Sequence, residues 1–383
     1  MSDVYITHAL RTPIGTAGKA FREVTAAELG AAVLGELAGR IRSDVEDVVL
    51  GNCMGPGGNV ARVAALTAGL ADHIPALTVD RQCASGLAAI QLAAVNLAAG
   101  VAPGQGTSPT PPPPSSTGGV VLAGGLESAS TAPWRFWPPV GDAEPKRYER
   151  APFAPADRDP EMGAAADSLA ELYGITRERQ DAYAARSHER AAAAQADGAF
   201  DDEIVPIAGH ATDERIRRGL TAQRLAKLPA VFRPDGTVTA GNSCGINDGA
   251  AVVALSTTGP GLRVLATASA GVDPTVPGLG VVPAVQRVLA RAGLSIGQID
   301  VWEFNEAFAG QVIACCDALG LNEELVCRQG GALALGHPWG ASGAVLAVRL
   351  FSQLITQQNG RYGVAAIAAG GGQGTAILVE ACR

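Results

Sequence analysis

The chain has 383 residues, of which 47% are hydrophobic and 17% charged, and a formal net charge of −8. These figures exclude a disordered chain and argue against nucleic acid or an anionic membrane as the partner of the whole surface. The seven cysteines form no CxxC pair and no cluster at metal-ligand spacing, so neither a disulfide framework nor a metal site is expected.

The first residues contain no basic segment followed by an apolar core, and no apolar run reaches the length of a membrane span. We therefore expect a cytoplasmic protein with reduced cysteines and no membrane association.

The first 80 residues alternate between strand-like and helix-like segments. Strands are predicted at 4–7, 45–50 and 77–79, and amphipathic helices at 26–38 and 60–71. This alternation predicts a parallel or mixed sheet covered by helices.

Cys83 follows the third of these strands and precedes a run of small and apolar residues, 84–95, that predicts a helix. Unpaired N–H groups and the positive end of the helix dipole favour a thiolate there and lower the pKa of the cysteine. Cys83 is therefore a candidate nucleophile. The alternative is a small buried hydrophobic residue, which is the commoner role of a lone intracellular cysteine.

Residues 103–119 contain a proline-rich run that is compatible with neither a helix nor a central strand. A solvated, extended surface loop is favoured over a ligand for a proline-recognising domain. Residues 120–125 resume as a buried strand that ends in glycines.

The region from about 126 to 245 is richer in charge, with a helix predicted at 178–196 and an acidic turn at 201–203, and we interpret it as an inserted region. One basic group stands out in this acidic protein; it consists of Arg215, Arg217, Arg218, Arg224 and Lys227. Solvated surface is the default role for such charges, and phosphate binding is the alternative. Residues 248–255 return to the core.

The second half of the sequence echoes the first. Residues 340–344 resemble 83–87, and 367–371 resemble 121–125, in the same order. Two ordered echoes predict a duplicated fold, although short glycine-containing segments also recur by chance. From Cys83 to Ala123 is 40 positions and from Gly340 to Ala369 is 29, and we assign the excess to the proline-rich segment.

His337 lies between glycines, just before the second-half counterpart of the Cys83 helix. Because equivalent loops of a twofold-related pair meet near the axis, His337 is expected to face Cys83 in a thiolate–imidazolium arrangement. Asn305 lies where a strand-like run, 301–304, passes into a helix. It is either a helix N-cap or an orienter of water or oxyanion donor.

The glycine-rich segment 370–374 lacks the spacing of a dinucleotide loop and is followed by strand-like residues, 375–380. A dinucleotide site is therefore not expected. Backbone amides exposed by glycines at the end of a strand are better suited to an oxyanion hole.

Six ordered motifs make this sequence similar to the thiolase family of acyl-CoA acyltransferases over nearly its whole length. They occupy 79–87, 123–128, 240–250, 305–308, 336–338 and 370–374. The resemblance implies two βαβαβαββ halves stacked as a five-layer αβαβα core. It places the N-terminal half at 1–125, completed by 246–261, the inserted loop domain that binds coenzyme A at 126–245, and the C-terminal half at 262–383. It also implies a homodimer or homotetramer that uses acyl-CoA thioesters as substrates and holds no permanent cofactor.

The resemblance also implies roles for individual residues. Cys83 would carry the acyl group as a thioester. His337 would activate it and, with Asn305 and a water, donate to the thioester oxygen. The N–H groups of Cys83 and Gly370 would form the other oxyanion hole.

The remaining residues that the resemblance assigns are binding residues. Arg217 and Cys244 fall at positions lining the coenzyme A site, and Met162 and Phe308 at the acyl pocket. Cys244 stands where the family usually has serine.

One departure from the family pattern affects the chemistry. The second catalytic cysteine of the family is replaced by Ala368, which cannot carry the proton that moves to or from the α-carbon of the second acyl-CoA. Losing such a group typically reduces a rate by about two to four orders of magnitude. Three readings follow: an active acyltransferase whose base is relocated or unnecessary, which we favour; a catalytically silent subunit that binds coenzyme A and acts through a partner; and a laboratory substitution.

Overall fold

The computed structural model of the chain describes residues 2–100, 119–148 and 150–383. Its strands are β1 (Tyr5–Arg11), β2 (Gly15–Thr16), β3 (Val45–Gly51), β4 (Ala76–Val79), β5 (Val120–Ser128), β6 (Arg135–Trp137), β7 (Lys146–Tyr148), β8 (Asn247–Ser256), β9 (Gly261–Gly271), β10 (Val301–Phe304), β11 (Tyr362–Ala369) and β12 (Gln373–Cys382). Its α-helices are α1 (Ala26–Arg40), α2 (Val60–Thr67), α3 (Ser85–Ala98), α4 (Met162–Leu172), α5 (Arg177–Ala196), α6 (Ala222–Leu225), α7 (Val281–Ala292), α8 (Ala309–Leu319), α9 (Ala332–Leu335) and α10 (Trp339–Phe351).

A ten-stranded mixed sheet consists of two half-sheets joined edge to edge. Its order is β10-β11-β12-β9-β1-β8-β5-β3-β4, with β2 also paired to β8. The junction is formed by β1 and β9, where Tyr5 pairs with Arg263 and Ile6 with Leu262. In the first half β5 runs parallel to β3 and antiparallel to β8, and in the second β11 runs parallel to β10 and antiparallel to β12. The predicted duplication is therefore confirmed.

The helices complete the predicted five layers. Helices α3 and α10 pack against each other and against strands of both half-sheets. Helices α1 and α2 cover the outer face of the first half-sheet, and α7 and α8 that of the second.

The contact between α3 and α10 is close because glycines lie at its centre. A Cβ atom on Gly86 would come within 2.8 Å of the Gly340 carbonyl oxygen, and one on Gly343 within 2.7 Å of the Leu87 Cβ. The two contacts are reciprocal, since Gly86 and Gly343 occupy the same position in the two sequence echoes. A larger side chain at either glycine would separate the helices.

The inserted region contains the β6–β7 hairpin and helices α4, α5 and α6. Strand β5 runs on to Ser128, beyond the predicted boundary at 125, because its last residues stay buried and paired with β8. The proline-rich loop predicted within 103–119 falls almost entirely outside the described residues, as does its assignment as the site of the excess length. Within the described ranges, no helix combines the length and hydropathy that crossing a membrane would require.

Candidate active site

Cys83 lies in a tight turn between β4 and α3. The turn is held by its own side chains: Asp80 Oδ1 accepts from the Gln82 N–H at 2.7 Å, and Ser85 Oγ accepts from the Arg81 N–H at 2.8 Å. Gln82 adopts a left-handed conformation, with φ of 49°, which this hydrogen bonding stabilises. The helix begins at Ser85 after Ala84 as its N-cap, so Cys83 precedes the helix proper.

Burial raises the pKa of Cys83 to about 12, and the neighbouring Cys244 and Glu127 act in the same direction. Hydrogen bonds from the N–H groups of Cys83 and Gly370 oppose this shift without reversing it. The expectation that a helix start lowers the pKa of Cys83 is therefore wrong, because desolvation of the thiolate outweighs the helix end. The two N–H groups are nevertheless directed at the sulfur, and their use as an oxyanion hole stays a prediction.

His337 is buried, and each of its polar atoms has a partner. Its ring Nδ1 lies 2.6 Å from Ser342 Oγ, its Nε2 lies 3.5 Å from Asn305 Nδ2, and its backbone N–H donates to Asn247 Oδ1 at 3.0 Å. Both ring contacts are satisfied when Nδ1 carries the proton and Nε2 is the acceptor.

Burial lowers the pKa of His337 to about 4, so the imidazole is neutral near pH 7. With the pKa of Cys83 raised, the resting pair is a thiol and an imidazole. The thiolate–imidazolium pair expected from the sequence is therefore wrong for the resting site, since separated charges are poorly solvated there.

Asn305 is buried beside His337, and its backbone N–H donates to the Ala366 carbonyl at 3.0 Å. The following helix, α8, begins at Ala309 with Phe308 as its N-cap. Asn305 is therefore not a helix cap, which leaves the predicted role as an orienter or oxyanion donor.

A cavity of about 120 Å³ brings these groups together with most of the predicted binding residues. Cys83 and His337 line it, as do Cys244, Met162, Phe308, Ala368 and Trp339. The cavity is largely apolar, and the side chain of Ala368 contributes only a methyl group to it. Arg217 does not line this cavity.

Arg217 instead lines a larger cleft of about 770 Å³ together with Arg215, Arg218 and Arg224. Asp213 also lines the cleft, but its carboxylate is paired with the Arg11 guanidinium at 2.7 Å. The cleft is therefore strongly basic, as the alternative of phosphate binding requires. Lys227, the fifth member of the predicted basic group, is not among its lining residues.

One backbone segment connects the cleft with the cavity. Ala240 and Gly241 line the cleft, whereas Cys244 lines the cavity. Arg215 reaches this segment from the cleft side, where its Nη2 donates to the Ser243 carbonyl at 3.2 Å. A long ligand could therefore place an anionic end in the cleft and a reactive end at Cys83.

Sequence reasoning did not assign roles to three residues that hold the site together. Ser342 and Asn247 orient His337 through the contacts above. Glu127 is buried and accepts hydrogen bonds from the N–H groups of Cys53 and Gly340, which joins the loops before α2 and α10. Glu127 and Asn247 fall within matched motifs, and Ser342 within an echo, but only the fold shows what they contact.

The family profile for the N-terminal domain of thiolase matches residues 4–104 and 114–258, and that for the C-terminal domain matches 260–381. The chain belongs to the thiolase family. The break at 105–113 coincides with the proline-rich run, so this thiolase carries extra residues there.

Relatives of this thiolase match it from end to end. An acetyl-CoA acetyltransferase from Pseudomonas aeruginosa is 41% identical over 410 aligned positions that cover 99% of each chain. The crystal structure of an acetyl-CoA acetyltransferase from Bacillus anthracis superposes with a TM-score of 0.87 at 37% identity and covers 100% of this chain and 99% of the other.

Proposed function

We propose that this thiolase is an acyl-CoA C-acyltransferase that takes an acyl group onto Cys83 as a thioester and passes it to a second thioester. The observation that carries the proposal is that Cys83 and His337 line one small cavity, with the Gly370 N–H directed at the Cys83 sulfur. The similarity to acetyl-CoA acetyltransferases supports an acetyl or other short acyl group, and so does a cavity of only about 120 Å³.

The first half of the reaction needs a base for the Cys83 thiol. In neutral His337, Nε2 is the acceptor and has only the 3.5 Å contact with Asn305 Nδ2, while Ser342 holds Nδ1. Nε2 exchanges that contact for the proton of the thiol as the sulfur attacks the carbonyl carbon. The thioester C–S bond of the acyl-CoA breaks, and coenzyme A leaves. Because both groups start neutral, the barrier includes charge separation that the oxyanion donors offset.

Two sets of donors are available for oxyanions. The N–H groups of Cys83 and Gly370 point at the sulfur position and suit the intermediate formed on one side of it. Asn305 Nδ2 lies on the other side, beside His337, and suits an oxygen of the second thioester. Preorganised donors of this kind typically contribute about two to three orders of magnitude each to the rate.

The basic cleft supports coenzyme A as the carrier. Its arginines offer the charge that phosphates require, and the segment from Ala240 to Cys244 leads from the cleft to the cavity. We assign Arg217 to phosphate binding, Cys244 to the end of the carrier, and Met162 and Phe308 to the acyl pocket.

The active form is proposed to be a homodimer or homotetramer. Strand β4 ends the sheet in the described part of the chain. Exposed apolar side chains lie on it and on the adjoining helices; they are Leu77, Val63, Leu66, Leu92 and Val95. An apolar sheet edge of this kind is normally covered by another chain, and light scattering after size exclusion gives the mass.

Mass spectrometry of the protein after incubation with acyl-CoAs of increasing chain length tests the enzymatic proposal. We expect an acetyl adduct on the peptide containing Cys83 and none in Cys83→Ala. Repeating the incubation with malonyl-CoA as second substrate asks whether a carbon nucleophile formed by decarboxylation is accepted. If no acyl-CoA modifies Cys83, the proposal fails, and the reading as a silent subunit that binds coenzyme A replaces it.

A further inference from the structure

Forming a carbon–carbon bond requires a group that removes a proton from the α-carbon of the second acyl-CoA. This requirement rests on the proposed function. Cys83 is acylated at that stage, and His337 has taken up its proton. Ala368 offers no polar atom. Some other group at the cavity must therefore accept the proton.

The cavity lining leaves one candidate. Among the described residues that line it, the ionisable side chains are Cys83, His337 and Cys244. The remaining side chains are apolar except Gln311, a neutral amide. Cys244 is thus the one ionisable side chain of this lining to which the proposed function assigns no proton transfer.

The backbone around Cys244 holds it between the two loops that carry the other polar groups. Its own N–H donates to the Ala307 carbonyl at 2.9 Å. Its neighbour Ser243 forms a bridge with Phe308, and Ile246 forms one with His337. The segment that carries Cys244 is therefore fixed at three points, one of them His337 itself.

Cys244 is also close to the nucleophile. Both side chains line the same cavity of about 120 Å³, and Cys244 contributes to the raised pKa of Cys83 after burial. An acyl group on Cys83 and an α-carbon about to attack it must both lie in this cavity, within reach of both sulfurs.

We propose that Cys244 is the catalytic residue that removes and returns the α-proton in the C–C bond step. In the first half, Cys244 gives its proton to the departing thiolate of coenzyme A, while His337 takes the proton of Cys83. The Cys244 thiolate then removes a proton from the α-carbon of the second acyl-CoA. The resulting enolate carbon attacks the acyl carbon on Cys83, so the C–C bond forms and the C–S bond to Cys83 breaks.

The protons balance at the end of this sequence. Cys83 leaves as a thiolate and recovers its proton from His337, while Cys244 retains the proton of the α-carbon. Both thiols and the neutral imidazole are restored, and no oxidant or additional reactant is needed.

The surroundings of Cys244 suit this role. Burial raises the pKa of Cys244 to about 12, whereas the Arg215 guanidinium acts in the opposite direction. A thiolate with a raised pKa is a stronger base towards a weakly acidic carbon, and Arg215 provides a positive charge that stabilises it. Gly245 permits the approach of Arg215, because a Cβ there would lie 2.6 Å from Nη1.

Exchange of α-protons with solvent tests the assignment directly. Acetyl-CoA in excess is incubated in D₂O with the wild-type protein, with Cys244→Ser, and with Cys382→Ser as a control for losing a thiol outside the cavity. Mass spectrometry measures the final extent of the Cys83 adduct, and NMR measures deuterium entering the acetyl methyl group. We expect Cys244→Ser to reach the wild-type final extent of adduct, although more slowly because residue 244 no longer protonates coenzyme A, and to lose exchange by about 10²- to 10⁴-fold. Cys382→Ser should be unchanged in both.

A second variant, Cys244→Ala, should give the same result, an adduct on Cys83 without exchange of the α-protons. Its methyl group cannot carry the proton. Exchange within about threefold of wild type in Cys244→Ser, with the adduct intact, would overturn the assignment and leave acyl transfer to Cys83 standing. Loss of the adduct in both variants would also overturn it, because coenzyme A can take its proton from water during the incubation, so such a loss would mean that Cys244 is needed for acylation itself. A wild-type protein without an adduct refutes the proposed function itself.

Discussion

Helices α3 and α10 are equivalent in the duplicated fold, yet the residues at their starts serve different ends. In the first half the helix begins at Ser85, and the preceding turn presents Cys83 to the cavity. In the second half the helix begins earlier, at Trp339, and the counterpart of Cys83 is Gly340, whose N–H donates to Glu127 Oε2 at 3.1 Å.

The two halves share one fold, but their equivalent positions carry different residues: a cysteine in the first half and a glycine in the second. A side chain at Gly340 would meet the Asn52 Cα at 2.8 Å, so this position has no room for a reactive group. His337 enters from the loop before α10 and lines the same cavity as Cys83. Each half therefore contributes one member of the proposed proton-transfer pair.

The largest effect is expected for His337→Ala, which removes the side chain that the second half contributes to the proposed pair. Without the imidazole, the Cys83 thiol has no base as it attacks, and we expect the rate of acylation to fall by about 10²- to 10⁴-fold. Adduct formation over time, followed by mass spectrometry, gives the rate. Ser342→Ala is the milder control and should cost about tenfold, because the ring keeps its Nε2 but loses its fixed orientation. Acylation of His337→Ala at the wild-type rate would contradict the assignment of the base.

The packing between α3 and α10 can be disturbed without changing a residue of the proposed active site. Gly343→Ala places a methyl group 2.7 Å from the Leu87 Cβ, and we expect the free energy of unfolding to fall by about 1–3 kcal/mol. Gly39→Ala in α1 is the matched control, because a Cβ there meets nothing within 4 Å. That change should raise the free energy of unfolding by up to about 1 kcal/mol. Denaturant unfolding measures both, and equal effects would contradict the account of the helix contact.

The inserted region belongs to the first half alone. Removing one of its charges tests whether this region contributes to substrate binding. Arg217→Ala should raise the KM for acyl-CoA by about three- to tenfold, because one screened charge contact with a phosphate is worth about 1 kcal/mol. Steady-state kinetics at two salt concentrations provides the measurement. Lys227→Ala, at a residue that does not line the cleft, should leave the KM within about twofold. Equal effects of the two variants would remove Arg217 from the substrate site.

The smallest expected effect is that of pH on Cys83 acylation. The pKa of His337 is lowered to about 4, so protonation removes this base only near pH 4. The pKa of Cys83 is raised to about 12, so the thiol ionises only near pH 12. The rate should therefore be nearly constant from about pH 5.5 to 9. A fall in rate centred near pH 6.5 would show that His337 titrates normally and would contradict the neutral pair.

Much of the fold could be predicted from the sequence because its elements carry strong local signals. Helix α5 was predicted at 178–196 and spans Arg177–Ala196, and the strand predicted at 301–304 is β10. Ala-rich runs favour helices and β-branched runs favour strands, and both preferences arise within the segment itself. Helix α2 ends at Thr67, short of the predicted 71, since helix ends depend on the packing of the following turn.

The surroundings of charged side chains were harder to predict from the sequence. Glu203 belongs to the acidic turn predicted at 201–203, and it is buried and paired with both Arg11 and Arg349. The sequence contains no local sign of this network, because its members lie on β1, α10 and the inserted region. A buried carboxylate is tolerated only when such partners neutralise it.

The sequence alone predicted Cys83 and His337 as partners, and both line one cavity; the prediction was possible because motif spacing and residue chemistry are local properties. It could not determine the direction of the Cys83 and His337 pKa shifts or the position of Cys244 in their cavity. Those depend on desolvation and on which loops meet, and both arise only when the two halves close on each other.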